Sequence, residues 1–319
     1  RARMRVLAPQ RQELIEALVA EAAPGRITAG LLEKDEHLTD ALRALFALQP
    51  EGVQLVFCGG TSLSKAYGLI ERMSEDADLK VVFPDLDQSR AETRRRLSEL
   101  RTLVTNTLAG IGLTEDKAKG QAFNENRYFC YARHYASIAG LRPHLQIELT
   151  ARTPVLPTEV RRITSLADAL AGRSDHAFEV PVVAVAETVA EKSLSFLRRY
   201  AQHRAGLMRQ AWDTALVRHL YDVHRIYQRQ PEVLAAARRA FPALVAGDQK
   251  EFGAQFPDFA AAPRQVLSGA LRQARADAKI QAEFTGNLLP LVYGGDTPAF
   301  AQAFGDFNTV AEALLEVLP

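Results

Sequence analysis

Asp76-Ala77-Asp78-Leu79-Lys80-Val81-Val82-Phe83 is the run on which the fold of this chain turns. Successive side chains of a strand point to opposite faces, so Ala77, Leu79, Val81 and Phe83 share one face and Asp76, Asp78 and Lys80 the other. The apolar set fixes that register against a core, because a slip of one residue would bury both aspartates. Two carboxylates two positions apart on one face repel each other and favour protonation unless a cation lies between them. Such a pair is a natural ligand set for Mg²⁺, which prefers carboxylate oxygens together with substrate phosphates. The same pattern also suits a solvent-facing strand with two surface acids, and the pair alone does not decide between them.

Upstream, the β-branched and aromatic run Val53–Phe57 predicts a strand. It ends in Gly59-Gly60-Thr61-Ser62, ahead of a helix expected over Ser62–Glu71. Glycines there allow close backbone approach to a phosphate, and a helix N-terminus offers free N–H groups and a positive dipole end. Thr61 and Ser62 suit N-cap positions. Most Gly-Gly turns only reverse the chain, and this one is no P-loop, for no Gly-x-x-x-x-Gly-Lys is present. Downstream, Leu145, Ile147 and Leu149 of His144–Thr150 make an apolar face, with Glu148 on the polar side. A place beside Asp76–Phe83 in one sheet would bring Glu148 to the aspartates; a solvated glutamate fits equally. The order is more telling than any part: strand, glycine turn, helix, carboxylate pair, later strand acid. Phosphoryl chemistry needs a grip on phosphates and a place for cations.

Around this block the pattern predicts helices over Gln10–Ala22, Glu36–Leu48 and Gln88–Ala109, and a strand over Tyr128–His134. Pro154, Pro157 and the stretch Gly172–Pro181 punctuate the chain, which places a domain boundary there: 1–180 as a catalytic domain and 181–319 as a helical one. The second half reads as helices over Val182–Ala201, Trp212–Gln228, Pro231–Val245, Pro263–Phe284 and Pro298–Val317. The expected class is therefore α+β, a mixed sheet with flanking helices followed by an all-helical C-terminal part. The 319 residues suffice for two cores, and the net charge of +1 gives no global field for nucleic acid, so any polyanion site must be local. Cys58 and Cys130 lack metal-ligand spacing, which favours a reducing, cytoplasmic setting. No apolar run approaches a membrane span, and no apolar segment follows Arg1–Met4 to make a signal peptide.

The run Phe57-Cys58-Gly59-Gly60-Thr61-Ser62-Leu63-Ser64-Lys65-Ala66-Tyr67, through Ile70-Glu71-Arg72-Met73-Ser74-Glu75-Asp76-Ala77-Asp78-Leu79, resembles the AbiEii/AbiGii-type toxins. These are nucleotidyltransferases of the DNA polymerase β-like superfamily, found in toxin–antitoxin and phage abortive-infection systems. Leu32-Glu33-Lys34-Asp35, Arg218-His219-Leu220-Tyr221-Asp222 and Lys250-Glu251-Phe252-Gly253 through Phe256-Pro257-Asp258-Phe259 extend the likeness over most of the chain. Ala77 departs from the family's branched aliphatic and Met73 from its frequent aromatic; both concern packing more than chemistry. The resemblance implies that Gly59, Gly60, Thr61 and Ser62 hold a nucleoside triphosphate. It makes Ser74, Asp76 and Asp78 the catalytic Ser-x-Asp-x-Asp element, with Glu148 as the third metal-binding acid. Lys192 and Asp222 resemble the family's helical-half lysine and aspartate.

Lys192 also stands out by position, on the stripe of Val185, Val189 and Phe196, where a lysine must pair, snorkel or meet an anion such as a triphosphate. Asp222 has Arg218 and Arg225 at salt-bridge spacing. His219 and His224 lack the i, i+4 spacing of a metal pair and read as helix-surface or core histidines. Arg198, Arg199, Arg204 and Arg209 read as a solvated charge run or as contacts to an RNA acceptor.

The implied reaction is in-line attack of an acceptor hydroxyl on the α-phosphorus, assisted by two Mg²⁺ ions or by Mn²⁺ in their place. The implied acceptor is an RNA 3′ end, with tRNA foremost, and a cognate antitoxin protein is expected. An enzyme of the same fold nucleotidylating a protein, and a non-catalytic module binding RNA or a partner, are the other readings.

Overall fold

A computed structural model describes residues 4–23, 26–84, 89–117, 126–136, 141–208 and 211–319. Arg209, and Gln88 at the expected start of its helix, lie outside the described residues. The chain divides into two compact units. The first comprises residues 1–68, 73–154 and 158–183, and the second 69–72, 155–157 and 184–319.

The first unit holds α1 (Pro9–Glu21), α2 (Ala29–Ala47), β1 (Gln54–Cys58), α3 (Gly59–Lys65), β2 (Asp76–Val82) and α4 (Arg90–Gly110). It continues with β3 (Thr114–Glu115), β4 (Asn126–Cys130), β5 (Leu145–Ala151), β6 (Glu159–Ile163), α5 (Leu166–Leu170) and β7 (Phe178–Val182). The strands form one mixed sheet in the order β3-β4-β5-β2-β1-β7-β6. In it β2 runs antiparallel to β1 and parallel to β5. Burial alternates along β5 as its sequence predicts, with Leu145, Ile147 and Leu149 buried and Gln146 and Glu148 half-buried. Those three leucine and isoleucine side chains, with Ala77, Leu79 and Val81 of β2, pack against Leu38, Leu42 and Leu45 of α2 and Leu97, Leu100 and Val104 of α4. One sheet face is thus spent on the core, and alternation turns Asp76, Asp78, Gln146 and Glu148 to the other. Lys80, assigned to that polar face, is nonetheless buried. Strands β3, β6 and β7 escape sequence periodicity: β3 has two residues, β6 is exposed over most of its length, and β7 carries Pro181.

Two helix boundaries in this unit differ from expectation. The periodic reading of α2 began at Glu36, but the helix begins at Ala29, capped by the Thr28 hydroxyl, which accepts from the Leu31 N–H at 3.3 Å. Its first half carries Glu33-Lys34-Asp35-Glu36-His37, and all five are no more than 7% exposed. Each charge has a tertiary partner. The Glu33 carboxylate accepts the backbone N–H groups of His134 at 2.7 Å and Tyr135 at 3.1 Å. Lys34 pairs with Glu75 and donates to the Arg142 carbonyl at 2.8 Å. Asp35 meets Lys65 at 2.6 Å, and Glu36 accepts from Arg11 at 3.1 Å. A helix buried all round has no amphipathic stripe to read. Similarly, α3 starts at Gly59 and stops at Lys65, well short of the expected Glu71.

His37 is the exception in that row. Neither ring nitrogen has a hydrogen-bond partner among the described residues, although Nε2 lies 4.0 Å from Glu33 and the ring lies against Tyr131. Burial, aided by the Arg5 charge, pushes its pKa down to about 3. A histidine neutral in the folded state and ordinary in the unfolded state favours unfolding once the unfolded chain takes up its proton. Its contribution is nil above about pH 6.5 and erodes stability by up to roughly 1.4 kcal/mol per pH unit from there toward pH 3. Urea denaturation of the parent and His37→Phe between pH 7 and 4 is expected to show the shallower decline in the variant. Parallel declines would refute it.

The second unit is helical: α6 (Val185–Arg204), α7 (Arg218–Arg229), α8 (Val233–Phe252), α9 (Pro257–Ala261), α10 (Pro263–Arg275), α11 (Ala278–Glu283) and α12 (Phe300–Leu315). Helix α6 packs against α7, α8, α10 and α12 and is buried along most of its length. The expected helix over Pro263–Phe284 is broken into α10 and α11 at Ala276–Asp277, where the Asp277 side chain caps α11. Pro242 lies inside α8, which runs on to Phe252. No helix among the described residues is long and apolar enough to cross a membrane.

Candidate active site

The polar face of the sheet is built by register. In the parallel pairing of β2 and β5, Asp78 stands opposite Glu148 and Asp76 opposite Gln146. In the antiparallel pairing on the other side, Cys58 stands opposite Asp78, so the turn after β1 arrives beside that aspartate. Gly59 has φ +74°, a conformation open to glycine and strained for other residues. A Cβ on Gly59 would lie 1.9 Å from Asp78 Oδ2, so the carboxylate occupies the space a side chain would need. The glycine is there to let the Asp78 carboxylate in.

Thr61 and Ser62 turn inward. The buried Thr61 hydroxyl donates to the Asp76 carbonyl and lies 2.9 Å from Ser74 Oγ, while the Ser62 hydroxyl donates to the Gly59 carbonyl at 2.8 Å. The Thr61 hydroxyl ties the glycine turn to the Ser74–Asp76 segment, and that of Ser62 closes the turn on itself. Asp76, half-buried, receives Arg142 Nη1 at 3.2 Å. Thr150 Oγ1 lies 3.4 Å from Glu148.

The first unit therefore brings together Gly59, Gly60, Thr61, Ser62, Ser74, Asp76, Asp78 and Glu148. Among the described residues no three acids, histidines or cysteines form a ready-made metal cage. The donor chemistry still fits Mg²⁺: it is all carboxylate oxygen, on paired strands, with the Gly59 hollow holding Asp78 close. Mg²⁺ characteristically takes one or two carboxylates and completes its shell with water and substrate phosphates.

Lys192 and Asp222 belong to the second unit and meet there, Nζ to Oδ2 at 2.8 Å. Asp222 is fully buried and also receives Arg72 through two parallel hydrogen bonds, Nε to Oδ1 at 2.7 Å and Nη2 to Oδ2 at 2.6 Å. Burial alone would raise the Asp222 pKa, but Arg72 and Lys192 outweigh it and hold the carboxyl well below its usual range. The partners expected from helix spacing, Arg218 and Arg225, are not these. Arg225 instead pairs with Glu71 at 2.9 Å and Asp296 at 2.7 Å. The Arg72 pairing could not be read from the sequence, since its partner is 150 positions away. Its place two residues before Ser74 was the only signal.

His219 lies near this cluster, and burial followed by the Lys192 charge drives its pKa well down. His224 is a core histidine, its Nδ1 2.6 Å from Asp306. The arginine run is not a uniform solvated face. Arg198 is buried, pairs with Asp248 at 2.8 Å and lies over the Phe252 ring, and Arg199 meets Asp213 at 3.1 Å. Arg204 remains exposed.

Residues 40–306 match the family described as the nucleotidyl transferase AbiEii toxin of type IV toxin–antitoxin systems. The chain belongs to the AbiEii family. Among solved structures it is similar to MenT4, a nucleotidyltransferase toxin from Mycobacterium tuberculosis. The identity is 21% and the TM-score 0.56, over 97% of this chain and 90% of that one, a likeness of fold. No curated protein matches the chain by sequence. The AbiEii protein is thus a nucleotidyltransferase toxin, and its family implies a nucleoside triphosphate substrate and a cognate antitoxin.

Proposed function

We propose that this AbiEii protein transfers a nucleoside monophosphate to the 3′-hydroxyl of an RNA, with tRNA as the first acceptor to test. The observation that carries the reading is the pairing of Asp78 with Glu148 across β2 and β5, beside Gly59. Three carboxylates on one sheet face make a strongly anionic surface that a triphosphate would meet only with counter-cations.

Asp76, Asp78 and Glu148 would hold Mg²⁺, or Mn²⁺ in its place. Bound there, divalent ions supply activation of the attacking hydroxyl and charge neutralisation on the leaving pyrophosphate. The backbone N–H groups of the Gly59–Ser62 turn and the Ser74 hydroxyl would bind triphosphate oxygens. Thr61 holds that turn on the strand through the Asp76 carbonyl, so phosphate grip and carboxylates keep a common frame. Lys192 would offset phosphate charge as the transition state forms, and Asp222 would hold its ammonium in place. Blocking or extending tRNA ends would arrest translation, and such arrest suits both antitoxin control and phage defence. Residues 1–180 would form the catalytic domain and 181–319 a helical domain that contributes Lys192 and Asp222.

To test this, the purified protein is incubated with Mg²⁺, each labelled nucleoside triphosphate and total RNA, beside Asp76→Ala. Label in a tRNA-sized RNA band, lost by at least about a thousandfold in the variant, is expected for loss of a catalytic carboxylate. Label in protein bands alone would select protein nucleotidylation. No label with any nucleotide, together with growth inhibition unaffected by Asp76→Ala, would leave only a binding module.

A further inference from the structure

The Arg142 guanidinium occupies a place at the carboxylates that the reaction above does not use. Its backbone is pinned from both sides by a buried pair: its N–H donates to Glu75 Oε2 at 2.9 Å and its carbonyl accepts Lys34 Nζ at 2.8 Å. Lys34 and Glu75, at most 2% exposed, pair with each other beneath it. The side chain leaves this anchor toward the sheet face. Nη1 reaches Asp76 Oδ1 at 3.2 Å and the Gln146 side-chain carbonyl, and Nε lies 3.6 Å from Glu75. Gln146 stands directly opposite Asp76 in the β2–β5 pairing, and its amide is in turn held by Asn126 at 3.1 Å. The Arg142 side chain is about one-third exposed, unlike its anchor.

We infer that Arg142 is a cation that offsets the Asp76 charge in the nucleotide-free protein and passes to the polyphosphate when a divalent ion takes that carboxylate. The inference rests on the assignment of Asp76 as a metal ligand. An arginine is always charged, so at 3.2 Å it offsets part of the negative charge that Asp76 and Asp78 place on this face. A divalent cation at Asp76 and a guanidinium 3.2 Å from the same oxygen repel, so each weakens the other. Arginine is also suited to bidentate contact with phosphate, and a fixed backbone with a partly exposed head limits its motion to a short swing. Arg142 is on this view a positioning residue in the free state and a phosphate ligand in the loaded one.

The probe is Mn²⁺ alone, its free fraction counted by electron paramagnetic resonance, followed by inorganic tripolyphosphate in the presence of Mn²⁺. Arg142→Gln is expected to bind Mn²⁺ about three- to tenfold tighter than the parent, the scale of a partly exposed charge pair. Arg142→Lys should fall between them. In the same variant tripolyphosphate binding should weaken by about tenfold, the scale of one charge-assisted contact. Arg142→Ala, which leaves the backbone anchor intact, serves if the glutamine variant folds poorly. Unchanged or weaker Mn²⁺ binding in both variants overturns the inference. A tighter Mn²⁺ site with unchanged tripolyphosphate affinity overturns the transfer to phosphate. Asp76→Asn separates the two levels. If it abolishes Mn²⁺ binding while Arg142→Gln changes nothing, the role of Arg142 alone falls; if Asp76→Asn binds Mn²⁺ as the parent does, the metal assignment falls with it.

Discussion

Asp222→Asn is expected to destabilise the protein by about 3–5 kcal/mol, the scale of breaking a buried ion pair by removing one partner. Asparagine keeps the shape and one carbonyl acceptor, but its amide turns a donor toward two cations. Arg72 at 3% exposure and Lys192 at 7% would then share a dry pocket without the carboxylate that faces both. Against a typical total stability of about 5–15 kcal/mol, that loss approaches the whole. The pH dependence follows from the depressed Asp222 pKa. A carboxylate with a lowered folded-state pKa contributes fully above the unfolded value near about 3.9 and loses that contribution as pH falls through the lower folded value. The gap between parent and variant should therefore be constant from neutral pH down to about pH 4 and close only in stronger acid. Lys192→Met in the Asp222→Asn background should recover part of the loss, since it removes one stranded charge. A midpoint shift in urea equivalent to less than about 1 kcal/mol would mean that solvent reaches the cluster and that the burial argument fails.

Lys34→Met should cost a similar amount, roughly 3–5 kcal/mol, through the anion it strands. Among the described residues Glu75, 2% exposed, would keep only the Arg142 N–H and the 3.6 Å contact with the Arg142 guanidinium. Burial pushes the Lys34 pKa down even though Glu75 opposes it, so the pair is held at a desolvation cost. That cost predicts non-additivity: Lys34→Met with Glu75→Gln should be less damaging than Lys34→Met alone. Denaturation of both singles and the double variant completes the cycle. A double variant as unstable as the sum of the singles would deny the coupling. Because Glu75 lies between Ser74 and Asp76, Lys34→Met should also lower transferase activity at temperatures where the fold survives.

Much of the site was legible because strand alternation is a local rule. Asp76 and Asp78 show their shared face within five residues, and Leu145, Ile147 and Leu149 set Glu148 outward in the same way. The strand, glycine turn and helix could likewise be placed, though not bounded, since α3 ends at Lys65 where spacing carried it to Glu71. What escaped was everything whose partner is remote. Glu33, Lys34 and Asp35 fell ahead of the helix expected from Glu36, yet they lie within α2 and are interior, and β7 joins the sheet beside β1 despite the break at Pro181. Lys192 was legible as a lysine that must find an anion; its partner Asp222 was not, and Arg72 still less.

The shared face of Asp76 and Asp78 and the glycine turn after β1 can be read from a few consecutive residues, because period-two alternation and the turn preference of paired glycines are local. Folding alone sets which strand stands beside which, the room that Gly59 makes for the Asp78 carboxylate, and the burial of five consecutive polar side chains of α2. Those outcomes depend on charges separated by tens to hundreds of positions finding one another, and a buried charge is tolerated only where its partner has already been brought to it.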